Sequence, residues 1–220
     1  MHDRRINGEV LRLGNQGALY MNAMTWWDRE TESVWSQPWG TAIAGPLKGT
    51  ALTLIPASVV PWETWRSGHP DTSVLTNDLK GIIVRRAVRP SDDFVIGVAL
   101  EDGATAYRYE KAAEERVIND VIAENPVVVF VDPDTRDIKV YLRRVNTNLP
   151  DGRRISELTF ELEGMRIVDS ETGSRWDSAN GVALEGPLKG TLLQQIPYVS
   201  AFDWAWLDFF PHTSYYDGES

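Results

Sequence analysis

The sequence has no cysteine, only three histidines and few basic residues for its length of 220. Without cysteine, the chain forms no disulfide and offers no thiolate metal ligand or cysteine nucleophile. Lysines and arginines number 22 against 32 aspartates and glutamates, which gives a net charge of −10. Such an acidic chain repels the phosphates of nucleic acids, so we expect no nucleic-acid partner.

Long apolar runs are also missing. The longest uninterrupted run, Val127 to Val131, is far shorter than the roughly 18 residues that a transmembrane helix needs. No apolar stretch follows the charged start at residues 3–5, so the sequence predicts no secretory signal and leaves the compartment open. With 42% hydrophobic and 25% charged residues, the composition is typical of a globular protein with one large or two small domains.

An internal repeat is the strongest pattern in the chain. Shifted by 141 positions, residues 28–75 align with residues 169–216 without a gap, and 20 of the 48 aligned pairs are identical. The longest identical block is Gly-Pro-Leu-Lys-Gly-Thr, at residues 45–50 and 186–191. This spacing exceeds the period of solenoid repeats, which is roughly 20 to 50 residues, so we interpret it as duplication of one structural unit.

The residue types within each copy favour strands. Short β-branched and aromatic runs alternate with Gly, Pro, Asn and Asp, and they predict strands at residues 10–13, 19–27, 41–44, 50–55, 94–100, 126–131, 137–144 and 156–162. The two dense apolar runs, 94–100 and 126–131, are expected to be buried, and the two that follow them half-exposed. An aspartate opens a tight turn at residues 28–33 and again at residues 169–174.

A few short helices complete the prediction. Residues 109–121 have the spacing of an amphipathic helix, and residues 62–65 and 202–210 suit one or two helical turns that proline stops. Each copy should then end in a final strand. The predicted fold class is α+β, predominantly β, with two duplicated units at residues 1–80 and 81–220. We expect a pseudo-twofold relation and a shared core in one globule.

Tryptophans and a lysine-bearing turn are the candidate binding residues. We assign the repeated tryptophans at positions 35/176 and 65/206 to the cores of the two copies. Unmatched tryptophans could instead contact a sugar ring or a protein partner, and these are Trp26, Trp27, Trp39 and Trp62. In the Gly-Pro-Leu-Lys-Gly segments, backbone amides could approach an anion while Lys48 or Lys189 adds a positive charge. A plain turn is the favoured interpretation of these segments.

Carboxylates are the plentiful catalytic groups. Asp28 with Glu30, and Asp169 with Glu171, could form acid/base pairs of the kind that glycoside hydrolysis uses, although an aspartate at a turn also caps backbone N–H groups. The acidic run at residues 132–137 could hold Ca²⁺ or form an ordinary turn. No residue is assigned a catalytic role on this basis.

Histidines give no support to a metal centre. His2 lies in a terminus that we expect to be frayed, and His69 and His212 are two positions out of register in the repeat. A zinc site needs three or four converging ligands, and no Gly-x-Ser-x-Gly motif accompanies either inner histidine. We therefore predict neither a metal site nor a cofactor.

Several of these motifs together resemble one family. Residues 28–37 (DRETESVWSQ), 42–49 (AIAGPLKG) and 62–65 (WETW) closely resemble domain of unknown function 3179. Residues 6–14 are similar to the family's opening, DG-x-x-L-x-F-G, and the chain from residue 95 resembles the same module in degenerate form. The resemblance covers nearly the whole chain and implies a truncated first module followed by a complete, cysteine-free second one.

What the resemblance implies about chemistry is limited. Usual members of the family carry HEIVND and CPLC stretches, whose residue types can form a soft-metal or redox site. Here Glu115-Arg116 stand where His-Glu would be, Asn119-Asp120 are kept, and residues 132–135 (DPDT) replace the two-cysteine loop. The resemblance thus implies that a thiol or metal function is lost here or belonged to a segment outside this chain. It also suggests an extracytoplasmic location.

Three functions are compatible with these patterns. The first is a non-catalytic binding or interaction protein, which contacts an unknown ligand or protein partner through the tryptophan-bearing first unit. A second is a carboxylate-dependent enzyme, of which a carbohydrate-active one is an example, with a cleft between the units. The third is the remnant of a metal or redox protein whose His and Cys ligands lie outside this chain.

Overall fold

The computed structural model describes residues 1–57, 60, 62–74 and 93–218. We call the part up to residue 74 the first unit. Strands β1 and β2 form a small hairpin, and β3 to β6 form an antiparallel sheet in sequence order. The elements are β1 (Arg5–Ile6), β2 (Glu9–Val10), β3 (Leu13–Tyr20), β4 (Ala23–Asp28), β5 (Val34–Ser36), β6 (Ala42–Ala44) and α1 (Trp62–Gly68).

Two tight turns shape this sheet. Met21 and Asn22 have φ angles of 49° and 57°, so the two-residue turn between β3 and β4 has the twist that hairpins prefer. Between β4 and β5, the carboxylate of Asp28 accepts the backbone N–H of Thr31. The side chain of Asp28 thereby satisfies a backbone donor that the turn would otherwise leave without a partner.

The second unit is described from residue 93 and is larger. It contains a sheet of order β18-β7-β8-β19, in which β19 runs parallel to β8, a meander β9-β10-β11, and an antiparallel sheet β14 to β17. Its elements are β7 (Phe94–Leu100), β8 (Gly103–Arg108), α2 (Tyr109–Glu115), β9 (Val117–Ile122), β10 (Asn125–Asp132), β11 (Asp137–Leu142), β12 (Arg144–Asn148), β13 (Arg154–Glu157), β14 (Phe160–Glu163), β15 (Arg166–Asp169), β16 (Arg175–Asp177), β17 (Val182–Glu185), β18 (Val199–Phe202), α3 (Asp203–Phe209) and β19 (Ser214–Tyr215).

The buried apolar residues of the described chain form four clusters. Strand β10 contributes residues to two of these clusters, because successive side chains point to opposite faces of a strand. Val129 faces the cluster that includes β7 and α2, whereas Val128 and Phe130 pack towards the sheet β14 to β17. The first unit has a smaller cluster of its own around the fully buried Trp35.

The sheets β3–β6 and β14–β17 have equivalent local structure. A backbone hydrogen bond of 3.1 Å joins Asp28 to Ser33, and one of the same length joins Asp169 to Ser174. The glycines that open the two Gly-Pro-Leu-Lys-Gly turns have φ angles of 91° and 92°. Aligned residues of the repeat therefore occupy the same turns.

The equivalence extends upstream of the stretch that the sequence aligns. Two backbone hydrogen bonds, of 2.7 and 2.8 Å, join residues 1–3 to residues 53–55. In the second unit, two bonds of 2.9 Å join residues 140–142, the end of β11, to residues 194–196. Because residues 53–55 and 194–196 are repeat equivalents, residues 1–3 occupy the place of the end of β11. The sequence does not reveal this, since none of the three paired residues is identical and the shift is 139 instead of 141.

The predicted fold class is confirmed: strands dominate, and the helices in the described part of the chain are short. The helices predicted near residues 62–65 and 202–210 are α1 and α3. Each described helix is seven residues long, too short to cross a membrane. The predicted boundary at residue 80 lies outside the described residues, and the pseudo-twofold relation stays a prediction.

A shared core was expected, but the two units meet differently. Their clusters of buried apolar residues are separate. The contact between them includes Trp39, whose indole N–H donates to the carbonyl of Phe209 at 2.9 Å and whose ring meets that of Phe209 edge-on at 5.0 Å. An aromatic contact therefore joins the two units.

The helix predicted over residues 109–121 is shorter than expected. It ends at Glu115, after which Arg116 takes a left-handed φ of 65° and β9 begins. Val117 pairs with Phe130 at the end of the β9–β10 ladder. Since β-branched residues suit a sheet, strand pairing overrides the helical spacing of the last residues.

Other predicted strands differ in extent from those observed. The prediction over 19–27 missed the turn at Met21 and Asn22, and residues 137–142 are mostly buried where half-exposure was expected. Residues 50–55 form single-residue bridges instead of a strand. Residues 10–13 and 156–162 each divide between two strands, and the final strand occurs as β19 in the second unit, whereas residues 73–74 of the first unit are not in a strand.

Candidate functional site

The aspartates considered as catalytic residues are enclosed in their turns. Asp28 is fully buried, and its two oxygens accept the backbone N–H of Thr31 at 2.6 Å and the indole N–H of Trp35 at 2.8 Å. Burial alone would raise the pKa of Asp28, but the hydrogen bonds from Trp35 and Thr31 hold it below its ordinary value. Asp169 accepts the same set of bonds in the second unit. The turn-capping interpretation is confirmed.

The neighbouring glutamates are also engaged. Glu30 accepts the backbone N–H of Arg12 at 2.8 Å and its guanidinium at 2.6 Å. At the equivalent place, Glu171 accepts the backbone N–H of Thr159 at 2.9 Å. Both glutamates therefore connect their turn to the chain segment that precedes the sheet.

The Gly-Pro-Leu-Lys-Gly segments are turns whose amides are already bonded. In the first unit, the N–H groups of Leu47, Lys48 and Gly49 donate to the Ser33 hydroxyl and to the carbonyls of Gly45 and Ala42. The second copy repeats these three bonds. These three amides of each turn are therefore not available to an anion. The side chains of Lys48 and Lys189 are exposed, and their role as ligand-binding residues stays a prediction.

The four unmatched tryptophans lie in different environments. Trp26 packs against the cluster of the first unit and receives His2 edge-on at 5.6 Å. Trp27 is half-buried, Trp62 is exposed on α1, and Trp39 lies at the contact between the units. The structure does not bring these side chains together into one surface.

One of the two matched tryptophan pairs departs from the core assignment. Trp35 and Trp176 are buried as expected, but Trp65 is 40% exposed whereas Trp206 is 2% exposed. Trp206 lies against β7, where a Cβ on Gly97 would come within 2.4 Å of its ring. The described part of the first unit has no counterpart of β7, and Trp65 instead stacks on His69 at 3.9 Å.

The histidines do not converge. His2 was expected to be frayed, but its backbone forms a bridge with Leu54 and its ring contacts Trp26. His69 stacks on Trp65, and His212 lies beside Phe210. Within the residues that the structure describes, no three His, Asp or Glu side chains form a group that could hold a metal ion.

The positions that correspond to the HEIVND stretch support the fold. The side-chain amide of Asn119 makes two hydrogen bonds, of 2.8 and 2.9 Å, to the backbone of Phe160. Asp120 accepts the hydroxyl of Tyr107 at 2.7 Å. Burial, together with the charge of Asp120, raises the pKa of Tyr107. These bonds connect β9 to β14 and β8.

Acidic residues at the position of the two-cysteine loop form a turn. Asp132 accepts the hydroxyl of Thr135 at 2.8 Å and the backbone N–H of Asp134 at 2.9 Å. Burial alone would raise the pKa of Asp132, yet these bonds and the charge of Arg116 lower it. The carboxylate of Asp132 is thus occupied by its own turn, as in the simpler of the two interpretations of this run.

A groove of about 380 Å³ lies where the two units meet. One wall is the β3–β4 turn with Met21, and the other wall is formed by β18 and α3, including Trp204. Asn22, Gln37 and Ser200 contribute polar groups. Among the described residues that line the groove, none has an ionisable side chain.

Sequence reasoning missed most of this groove. Trp204 is 54% exposed and aligns with Glu63 in the repeat, so it is also an unmatched tryptophan. The prediction missed it because it considered the unmatched tryptophans of the first unit alone. Met21 was placed inside a strand instead of at a turn. Of the predicted binding residues, Trp39 is the one that touches a groove residue, through its contact with Phe209.

Comparison with known families agrees with the resemblance seen in the sequence. A family model described as "Protein of unknown function (DUF3179)" matches residues 1–82 and 84–213. The chain belongs to this family. Neither a curated protein nor a solved structure matches it. The family assignment covers both units and carries no activity with it.

Proposed function

We propose that this DUF3179 protein is a non-catalytic binding protein whose groove between the units takes an uncharged small ligand. The observation that carries the proposal is the composition of the lining, which combines aromatic and aliphatic side chains with a few polar groups and no ionisable residue. Ligand sites have this composition, and their volumes usually lie between roughly 300 and 1,000 Å³. General acid/base catalysis would need a titratable side chain in the groove.

The lining also suggests the chemistry of the ligand. Trp204 offers an exposed indole face, while Asn22, Gln37 and Ser200 offer amide and hydroxyl groups. An apolar face for stacking beside neutral hydrogen-bonding groups suits a ligand with one apolar face and a hydroxylated edge. A neutral sugar ring has this character. A charged ligand would find no counter-charge in the groove.

This proposal keeps the binding role suggested by the sequence and moves its location. Trp39 contacts Phe209, a residue of the groove. Trp26, Trp27 and Trp62 are not among the residues that line it. The aspartates of the alternative enzyme hypothesis accept hydrogen bonds within their turns. For this reason we do not propose a carboxylate-dependent reaction.

The test is a titration of the protein with neutral mono- and oligosaccharides, with uronic acids as charged controls. Binding is measured by calorimetry and by chemical shifts of the tryptophan indole N–H groups. We expect Trp204→Ala to weaken binding of a neutral sugar at least about fivefold, because an aromatic stacking contact is worth roughly 1 kcal/mol. Trp62→Ala is the matched control, since Trp62 is 50% exposed and lies outside the groove.

Two patterns of sugar binding would contradict the proposal. One is binding of neutral sugars that Trp204→Ala leaves unchanged, and the other is binding of uronic acids in preference to neutral sugars. Absence of binding by every neutral sugar in the panel would also overturn the assignment of the ligand class.

A further inference from the structure

Among the described residues of the first unit, none forms the layer that covers its equivalent in the second unit. The cluster in the first unit contains Leu11, Trp35, Ala42 and Leu52, and the corresponding residues of the second unit are Leu158, Trp176, Ala183 and Leu193. In the second unit, Val128 and Phe130 of β10 pack on this set. No described residue of the first unit takes the place of β10.

At the same place, a backbone edge has no partner strand within the described residues. Residues 1–3 of the first unit correspond to the end of β11. One edge of this segment bonds to residues 53–55. The opposite edge corresponds to the edge of β11 that pairs with β10. In the second unit, Arg143 N donates to the carbonyl of Pro126 at the start of β10 at 2.9 Å. The equivalent N–H of Arg4, like that of His2, donates to no backbone carbonyl within the described residues. We call the outward edge of residues 2–4 the open edge.

Side chains at the open edge repeat those that hold β10 in the second unit. Arg143 is buried and donates from Nη1 to the carbonyl of Leu158 at 2.6 Å and from Nε to the carbonyl of Val127 at 2.8 Å. Arg4 keeps the first of these bonds, to the carbonyl of Leu11 at 3.4 Å. The side chain of Arg4 is exposed. No described residue offers Arg4 a strand carbonyl like that of Val127, which Arg143 binds.

An aromatic contact lies beside the open edge. Tyr141 contacts Phe130 of β10 at 5.9 Å. His2 takes the place of Tyr141 and contacts Trp26, a residue of the first unit's own sheet that aligns with Ile167. The Nε2 atom of His2 is buried without a hydrogen-bond partner in the described chain. Trp26 is half-buried beside it, so apolar surface and backbone donors lie together along the open edge.

We propose that the first unit binds an extended peptide strand along the open edge, antiparallel to residues 2–4, in the position that β10 occupies on β11. The second unit defines the chemistry of this partner. Its strand should carry apolar or aromatic residues at alternate positions, as β10 does with Val128 and Phe130, and should present a carbonyl to Arg4. Such strand addition obtains its affinity from main-chain hydrogen bonds and its specificity from alternate side chains. This inference does not depend on the proposed function of the groove.

The experiment uses the full chain and a synthetic peptide with the sequence of residues 125–132 (NPVVVFVD), flanked by lysines for solubility. Binding is followed by fluorescence anisotropy of the labelled peptide and by backbone chemical shifts of the protein. We expect saturable binding with the largest shifts at residues 2–4. A peptide with Phe130→Asp should bind at least about tenfold more weakly, because one buried aromatic contact is worth more than 1.4 kcal/mol.

Protein variants locate the site. Arg4→Ala should weaken binding about tenfold through loss of a charge-assisted hydrogen bond, and its exposed side chain makes unfolding of the variant easy to exclude by circular dichroism. Arg154→Ala, an exposed arginine of the second unit, should bind as the natural protein does.

The proposal fails if the peptide does not bind, if Arg4→Ala binds it unchanged, or if the shifts cluster at Trp204 instead. Sedimentation tests a second copy as the occupant. Dimerisation through residues 2–4 that the peptide cannot displace would overturn the assignment of a peptide partner. Failure of sugar binding at the groove would leave all these outcomes unaffected.

Discussion

At the level of single residues, the repeat retains side chains that bond to one another. Asp28, Thr31, Ser33 and Trp35 form one hydrogen-bonded group, in which the Ser33 hydroxyl also accepts the N–H of Leu47 from the next turn. The second unit has the same group. Because every member of the group makes a hydrogen bond to another member, loss of any one side chain leaves a polar group without a hydrogen-bond partner. This explains the identical spacing without a catalytic role.

Asp28→Asn should destabilise the first unit by about 1–3 kcal/mol at pH 7, since it replaces a buried charged acceptor of several hydrogen bonds. The folded pKa of Asp28 lies below its ordinary value, so its contribution is complete above a pH of about 4 and is lost as the pH falls through the folded pKa. Urea unfolding at pH 7 and pH 3 measures this. The variant should show a smaller loss of stability between the two pH values than the natural protein.

Asp71→Asn is the control for this measurement, because Asp71 is exposed. It should leave the pH dependence unchanged. If Asp28→Asn has the pH dependence of the natural protein, the hydrogen-bonded carboxylate of Asp28 is not what stabilises the turn.

Substitution of two glycines in one turn distinguishes the cost of backbone strain from the cost of a steric clash. Gly45 and Gly49 both have positive φ, of 91° and 88°, but a Cβ on Gly45 would lie 2.6 Å from the Cα of Ser33, whereas a Cβ on Gly49 would meet nothing within 4 Å. Gly49→Ala should therefore cost about 1–2 kcal/mol from strain alone, and Gly45→Ala clearly more. Thermal unfolding of both variants checks this order. Equal losses would contradict the close approach of Gly45 to Ser33.

At the level of elements, strand pairing decides boundaries that local sequence leaves open. The segment from Tyr109 has one helical pattern, yet it forms α2 up to Glu115 and then β9. The spacing of apolar residues is a local property, whereas the pairing of Val117 with Phe130 depends on a strand that follows later in the chain. The strand β10 was predictable because both of its faces are buried, so its residues 126–131 form an uninterrupted apolar run.

Asn119 connects two sheets at a place where no strand pairing does so. Asn119→Ala should cost about 1–3 kcal/mol, because it leaves both the N–H and the carbonyl of Phe160 without their partner at a part-buried site. Chemical unfolding measures the loss. Asn146→Ala is a matched control, since its side chain accepts an exposed hydrogen bond from Arg154, and it should change the stability by less than about 0.5 kcal/mol. Similar losses in both would argue against the connecting role of Asn119.

At the level of the whole molecule, the repeat predicted the sheets but not what surrounds them. Identical residues from Asp28 to Thr50 mark the turns of both units, and the same turn hydrogen bonds occur in each. Residues 1–3 take the place of the end of β11 without any identity to it, because backbone hydrogen bonds place them there. The groove could not be predicted from either copy, since most residues of its walls, apart from Trp206, differ between them.

Trp39 should govern how strongly the two units are coupled. Its ring and N–H contact Phe209 across the boundary, so Trp39→Ala should weaken that contact and make the first unit unfold before the second. Hydrogen exchange resolved by residue checks this, with faster exchange expected in β3 to β6 than in β9 to β11. Trp62→Ala, on an exposed face, should leave the order of exchange unaltered. Uniform acceleration in both units would contradict a role specific to the boundary.

The β3–β4 turn also sets a trade-off at the mouth of the groove. Met21 holds a left-handed φ of 49°, which costs a residue other than glycine about 1 kcal/mol, and it places a thioether side chain on the groove wall. Met21→Gly would relax the backbone and at the same time strip that wall of its side chain. Thermal stability should then rise while affinity for a groove ligand falls. Selection for stability alone would therefore favour glycine at position 21 over methionine.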